Sequence, residues 1–196
     1  MGGVIISIAL LLALAAYLIF AKIRDNKLLR SVTVLHRGTK SERALVLKLL
    51  KYGIHPQAIF HDLYVKKGDG NYSQIDLVVA TKVGILVFEV KDYSGWLFGK
   101  GNQRQWTQIL AYGKEKYRFY NPVMQNNGHI TALRKQLKQF DAIPFYSIIV
   151  FYGNCTLKDV SEIPVGTYLT YHQGVLRFVD FVIKTMLLRI TQTKER

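Results

Sequence analysis

Cysteine is nearly absent: Cys155 is the single thiol in 196 residues. It cannot close an internal disulfide, and no sulfur cluster exists to hold zinc. No histidine–acid pattern points at it as a nucleophile, so it reads as a buried or half-buried strand-end thiol. Acids are also scarce, 13 Asp and Glu against 27 Lys and Arg, which leaves a net charge of +14. Internal repeats, low-complexity segments and a second domain are missing, and no separate nucleic-acid-reading motif is present. Nearly half of the residues are apolar, which excludes wholesale disorder and provides for one packed core plus an appendage.

The charge divides into two parts. Residues 22–40 carry Lys22, Arg24, Lys27, Arg30, Arg37 and Lys40 against Asp25 alone, a local +5, and the remaining +9 falls in residues 41–196. The second excess fits a phosphate backbone, although solubility alone also accounts for a modest positive charge.

The first block follows an apolar run, Val4 to Ala21, VIISIALLLALAAYLIFA, in which Ser7 is the one clearly polar residue. At 1.5 Å per residue this helix is roughly 27 Å long, close to the thickness of a bilayer core. A buried core helix is the competing reading, but the run has no polar face and stops at a wall of charge. A signal peptide needs a basic stretch before the apolar one, and Met1-Gly2-Gly3 carries no charged side chain. Residues 4–21 are therefore expected to form a transmembrane helix, with Tyr17 at an interface. Positive charge on the inner side places the N-terminus outside and residues 22–196 in the cytoplasm. The basic block, a juxtamembrane connector over 22–37, is also placed to meet anionic lipid headgroups.

The domain is expected over 38–190. Thr39 and Glu42 have capping-box spacing at the start of a helix that runs to Tyr52, with Leu45, Val46, Leu49 and Leu50 inward and Gly53 just past its end. Strands are expected at 58–65, 72–80 and 85–91, with a turn at Lys66-Lys67-Gly68-Asp69-Gly70 and another at 81–84. Two more short strands fall at 95–99 and 104–109. Asn121-Pro122 opens a helix whose stripe is Ile130, Leu133, Leu137 and Phe140. Phe145–Phe151 is a strand covered on both faces, 167–170 is a last strand, and Val175, Val179, Val182, Met186 and Leu187 mark a final helix.

Two acids and a lysine interrupt strands that otherwise read as core: Asp76, Glu89 and Lys91. Side chains alternate along a strand, so Glu89 and Lys91 share a face, and a hairpin brings Asp76 beside Glu89. Buried carboxylates that converge need a cation between them, and oxygen donors suit Mg²⁺ or Mn²⁺. A lysine alongside completes the groups for metal-assisted phosphodiester hydrolysis. The competing reading is an exposed Glu–Lys pair on a solvent-facing strand, with Asp76 capping a turn.

Three blocks in order, Ser73-Gln74-Ile75-Asp76, Gly84 to Gly95 (GILVFEVKDYSG) and Asn121 to Ile130 (NPVMQNNGHI), resemble the NERD (nuclease-related) domain, a branch of the PD-(D/E)XK superfamily. The resemblance covers roughly residues 38–155. It implies an α/β fold with a restriction-endonuclease-like core: a mixed central sheet flanked by helices. It also implies a divalent metal, Mg²⁺ or Mn²⁺, held by Asp76, Glu89 and the Val90 carbonyl, with Lys91 as catalytic lysine. Glu42 matches the acid on the first helix, where a capping role with Thr39 competes. Related exonuclease folds place a Gln and an aromatic near the site, at the positions of Gln125 and His129 here; for His129 a helix-surface position is the expectation. His36, His55, His61 and His172 show no metal spacing. The expected activity is a membrane-anchored nuclease acting on DNA or RNA. The alternatives are a non-catalytic nucleic-acid-binding module on the same fold, or a membrane scaffold whose basic surface faces lipid.

Overall fold

The apolar N-terminal run continues without a break into the basic block, because nothing between Lys22 and Leu29 interrupts a helix. The computed structural model, which describes residues 2–68, 70–110, 113–140 and 142–194, with side chains to residue 185, shows α1 over Gly2–Leu29. The span is long and apolar enough to cross a membrane, and no residue of its apolar window is buried. The expected connector over 22–37 divides in the structure. Its first half is helix, and Asp25 meets Lys51 at 2.6 Å. Leu28, Leu29, Val32 and Leu35 join the domain core, so apolar residues that read as linker are packing residues.

Thr39 caps α2 (Lys40–Tyr52), its hydroxyl accepting from the Glu42 N–H, and Gly53 ends it at φ 105. Among the described residues nine strands follow: β1 (Ile59–Lys66), β2 (Tyr72–Thr81), β3 (Gly84–Asp92), β4 (Gly95–Lys100), β5 (Gln105–Leu110), β6 (Glu115–Tyr120), β7 (Phe145–Tyr152), β8 (Cys155–Ser161) and β9 (Thr167–Tyr171). Helix α3 (Pro122–Gln136) lies between β6 and β7, and α4 (Val175–Lys194) follows β9. Asp69 of the expected turn, and the side chains of Met186 and Leu187 of the expected stripe, lie outside the described residues.

The main sheet is mixed, in the order β1-β2-β3-β7-β9. β1, β2 and β3 form the antiparallel meander, while β7 and β9 add in parallel. A parallel neighbour needs a long crossover, and here the crossover from β3 to β7 carries β4, β5, β6 and α3. On one face, Leu77, Leu86, Phe88 and Ile148 pack beneath α2 and α4; on the other, Val78 and Val87 lie beneath α3. This is an α/β fold of a mixed sheet between helical layers.

The second sheet runs β6-β5-β4-β8. Its strands β6 and β8 fall in segments that carry no clear strand signal: β6 is charged and β8 mostly polar. Cys155, at 9% exposure, begins β8. One correction concerns α3. Phe140 is 48% exposed, beyond the helix end, and the buried face is Val123, Asn126, His129, Ala132 and Leu133. Polar residues occupy positions on that face because each finds a buried partner, which an apolar stripe does not reveal.

Candidate active site

The register of β2 with β3 pairs Leu77 with Phe88 and Val78 with Val87, so one step further places Asp76 opposite Glu89. Residues opposite each other in an antiparallel pair present side chains to the same face. Glu89 is 1% exposed. Its Oε1 lies 2.6 Å from Lys91 Nζ and its Oε2 3.1 Å from His129 Nε2. Both are on the side covered by α3. Lys91 also donates to Gln125 Oε1 at 3.1 Å. Gln125 and His129, one turn apart, thus grip the lysine and the glutamate from above.

Helix α3 is fixed at both levels. Asn121 caps it by accepting from the Val123 N–H, and its amide donates to the carbonyls of Lys100, Gly101 and Gln103. Asn126 donates to the Val87 carbonyl and to Ser147 Oγ, each at 2.9 Å, and so clamps the helix to β3 and β7. His129 Nδ1 meets Ser73 Oγ at 2.7 Å, which ties the helix to β2 as well.

Asp76 reaches the site through a distortion in β1. Pairing steps from His61–Leu77 to Leu63–Ile75, passing over Asp62 and Asp76. Asp62 adopts φ 54, an uncommon left-handed geometry for a non-glycine residue. It is held by Arg37, which donates to its side chain and carbonyl at 2.7 Å each, and by Gln74 at 2.7 Å. Freed from regular pairing, Asp76 accepts from the Val90 N–H at 2.7 Å. In an extended strand the N–H and C=O of one residue point to the same edge. The Val90 carbonyl therefore points to the β2 edge of β3, the edge on which Asp76 lies.

The charges respond to this crowding. Burial pushes the Asp76 carboxyl up to about 7, aided by the Glu89 charge and opposed by the Val90 N–H. Burial pulls the Lys91 ammonium down, but the charge of Glu89 and its hydrogen bond outweigh it and hold Lys91 above its ordinary value. The oxygens available to a cation are those of Asp76, Glu89 and the Val90 carbonyl. Each carboxylate oxygen keeps a second lone pair beyond the bond it already accepts. Among the described residues no group of three or more His, Cys, Asp or Glu converges as a metal cage. A cation at this position would meet two carboxylates and a backbone oxygen.

Glu42 stands at the border of this cluster, and its charge adds to the upward pressure on Asp76. It is buried, accepts from Thr39 Oγ1 at 2.7 Å, and places Oε2 3.4 Å from His61 Nε2. That separation is longer than a good hydrogen bond, and both atoms lack a partner. Burial pushes Glu42 up, but His61 and Thr39 outweigh it and keep the carboxyl below its ordinary value. The capping role with Thr39 and the approach to the site therefore coexist.

The structure brings Asp76, Glu89, Lys91 and Gln125 into one cluster, with Glu42 beside it. Sequence reasoning missed three neighbours. His129, expected on the helix surface, is buried against Glu89; its one-turn spacing from Gln125 was the available signal. His61 and Ser73 carried none, since each acts through a partner distant in sequence.

An acid on the second strand of a meander, a Glu-x-Lys on the third and a helix-borne glutamine over the lysine define a nuclease-like α/β domain. The pattern of the nuclease-related domain (NERD) family matches residues 37–152, more than half of the chain, and the chain belongs to that family. An uncharacterized protein of Bacillus anthracis is 28% identical over 144 residues. That match takes in 74% of this chain and 66% of the relative, just under two thirds of its length. No solved structure matches the chain.

Proposed function

We propose that the chain is a membrane-anchored, divalent-metal-dependent nuclease that hydrolyses phosphodiester bonds of DNA or RNA. The observation that carries this reading is the placement of Asp76 opposite a buried Glu89, with Lys91 held between Glu89 and Gln125. Two carboxylates placed opposite each other, Glu89 buried and Asp76 half-buried, favour a cation, and an all-oxygen donor set fits Mg²⁺ or Mn²⁺ better than zinc. Asp76, Glu89 and the Val90 carbonyl would hold it. When bound, such an ion polarises a phosphoryl oxygen and neutralises the two acids.

The residues of the chain do the rest. Lys91 stays protonated and presents its ammonium to a non-bridging phosphate oxygen, offsetting charge as water attacks phosphorus. Its bonds to Glu89 and Gln125 restrict the rotamers of a long side chain, so the charge is already in place when the substrate arrives. Water gives up a proton to solvent as its oxygen bonds to phosphorus, the bond to the leaving oxygen breaks, and that oxygen takes a proton from solvent and departs as an alcohol. Asp76 loses its proton to take part, and His129 keeps Glu89 oriented.

The membrane part of the proposal rests on α1 and on the basic residues after it. They support an N-terminus outside and residues 22–196 in the cytoplasm, with Lys22, Arg24 and Lys27 near anionic headgroups. Resistance of the chain to alkaline extraction from membranes, and labelling of a Gly2→Cys variant from outside only, are the expected results.

A second reading, a non-catalytic binding module, draws on Glu89 having both oxygens engaged by Lys91 and His129. Full-length protein in detergent, incubated with labelled DNA and RNA, separates the two. Cleavage with Mn²⁺ that disappears in Asp76→Ala and Lys91→Ala supports the nuclease. No cleavage of any substrate, single- or double-stranded, leaves the module.

A further inference from the structure

Strand β6 is the least explained element of the fold. It is an edge strand of the second sheet, paired on one side only, to β5. With Lys114 just before it, the segment reads KEKYRFY, three cations against one acid. That acid, Glu115, is engaged by the Tyr117 hydroxyl at 3.0 Å. Lys116 and Arg118 are exposed, and neither has an ion-pair partner among the described residues. Tyr117 and Tyr120 are 51% and 47% exposed. Large aromatics interleaved with free cations on an open strand are not what a core requires.

The same strand is wired to the candidate site. Phe119 anchors it inward, its ring 4.5 Å from that of Tyr93 and 6.3 Å from that of Trp106. Tyr93 lies two residues beyond Lys91, and its hydroxyl feels the charges of Lys91 and Glu89. At its other end β6 passes through Asn121 directly into α3, where Gln125 holds Lys91. Strand β6 is thereby connected to Lys91 through Tyr93 on one side and through Gln125 on the other.

We propose that β6 is a rail for a single-stranded polynucleotide, with phosphates along Lys116 and Arg118 and bases stacked on Tyr117 and Tyr120. This rests on the nuclease reading and specifies its substrate form. Alternate residues of a strand repeat at about 6.8 Å, a spacing suited to successive nucleotides of an extended strand. Lys116, Arg118 and Tyr120 project to one side of β6 and Tyr117 to the other. A flexible strand on an edge can use both sides, whereas a duplex keeps its base faces stacked and out of reach of tyrosines.

Fluorescence anisotropy tests this on the full chain in detergent with EDTA, using a labelled 20-mer as single-stranded DNA, single-stranded RNA and duplex DNA. The single strands are expected to bind more tightly than the duplex, and the better of the DNA and RNA arms identifies the sugar. Lys116→Glu combined with Arg118→Glu should weaken binding by about tenfold or more and reduce the salt slope by about 2. Tyr117→Ala with Tyr120→Ala should weaken it about tenfold at an unchanged slope. Lys82→Glu, in the distant turn between β2 and β3, should bind like the wild type. Far-UV circular dichroism checks the fold, and Lys116→Gln with Arg118→Gln gives a milder charge loss.

Duplex preference, wild-type affinity in the β6 variants, or an equal loss in Lys82→Glu would overturn the proposal. Binding only to anionic vesicles, lost in the same variants, would also overturn it in favour of a lipid-facing strand. The two readings fail separately. Binding that needs β6 in a protein that cleaves nothing removes the nuclease and keeps the rail. Cleavage of single strands with unaltered KM in the β6 variants removes the rail and keeps the nuclease.

Discussion

His129 Nε2 sits 3.1 Å from Glu89 Oε2, inside the protein and 40 residues away in sequence. An ionised Glu89 only accepts, so Nε2 carries the proton, and in the neutral ring Nδ1 then accepts from the Ser73 hydroxyl. This pair, with Lys91, is what allows a carboxylate to remain at 1% exposure.

Replacing His129 with Ala should leave Glu89 Oε2 and Ser73 without partners. The expected loss is about 1–3 kcal/mol of stability by urea denaturation. His129→Gln, which keeps a donor, should recover part of it. Any nuclease activity should fall more in the Ala variant than in the Gln variant.

Gly38 should not tolerate a side chain. Its φ is 66, and a Cβ there would come within 2.5 Å of Glu42 Oε2 and 2.6 Å of His61 Nε2. Gly38→Ala is expected to cost about 1–3 kcal/mol, seen as a lower Tm. Restoring space with Glu42→Ala in the same chain should return part of the loss.

Asn121 joins the second sheet to α3. Truncation to Ala removes the helix cap and three carbonyl contacts at once. A loss of about 2–3 kcal/mol is expected. Asn121→Asp keeps the acceptor that caps the helix but not the donors, and should fall between the two in denaturant titrations.

Asp76 should give the metal-free protein a distinctive pH dependence. Its folded-state value is about 7 against an ordinary 3.8. Between those values the folded chain binds a proton that the unfolded chain does not. Stability from this group is therefore highest below about pH 4, declines as pH rises toward about 7, and is level above that. The fall should be on the order of a few kcal/mol. Asp76→Asn should flatten the profile and be more stable than the wild type at pH 8 in EDTA, measured by denaturation at each pH.

Much of this architecture was legible in the residues. The β1–β2–β3 meander, β7, α2 with its Thr39 cap and the start of α3 follow from alternation, glycine turns and capping chemistry, and Asp76, Glu89 and Lys91 stand out as charges in apolar strands. What stayed hidden depends on partners far away in sequence. Strand β6 is charged because it is an edge, so alternation of burial does not mark it. His129 and Asn126 lie on a buried helix face, but their polarity reads as surface until Glu89, Val87 and Ser147 are placed opposite them. The region after Ala21 reads as linker because its charge conceals Leu28 and Leu29, whose burial depends on α2.

Titration of Mn²⁺ into the full chain in detergent, followed by isothermal calorimetry at pH 8, tests the central claim most directly. Wild-type protein should bind the ion with release of heat, and Asp76→Asn should lose that binding while keeping its circular dichroism spectrum. Absence of Mn²⁺ binding to the wild type, or equal binding by Asp76→Asn, would contradict a catalytic metal between Asp76 and Glu89.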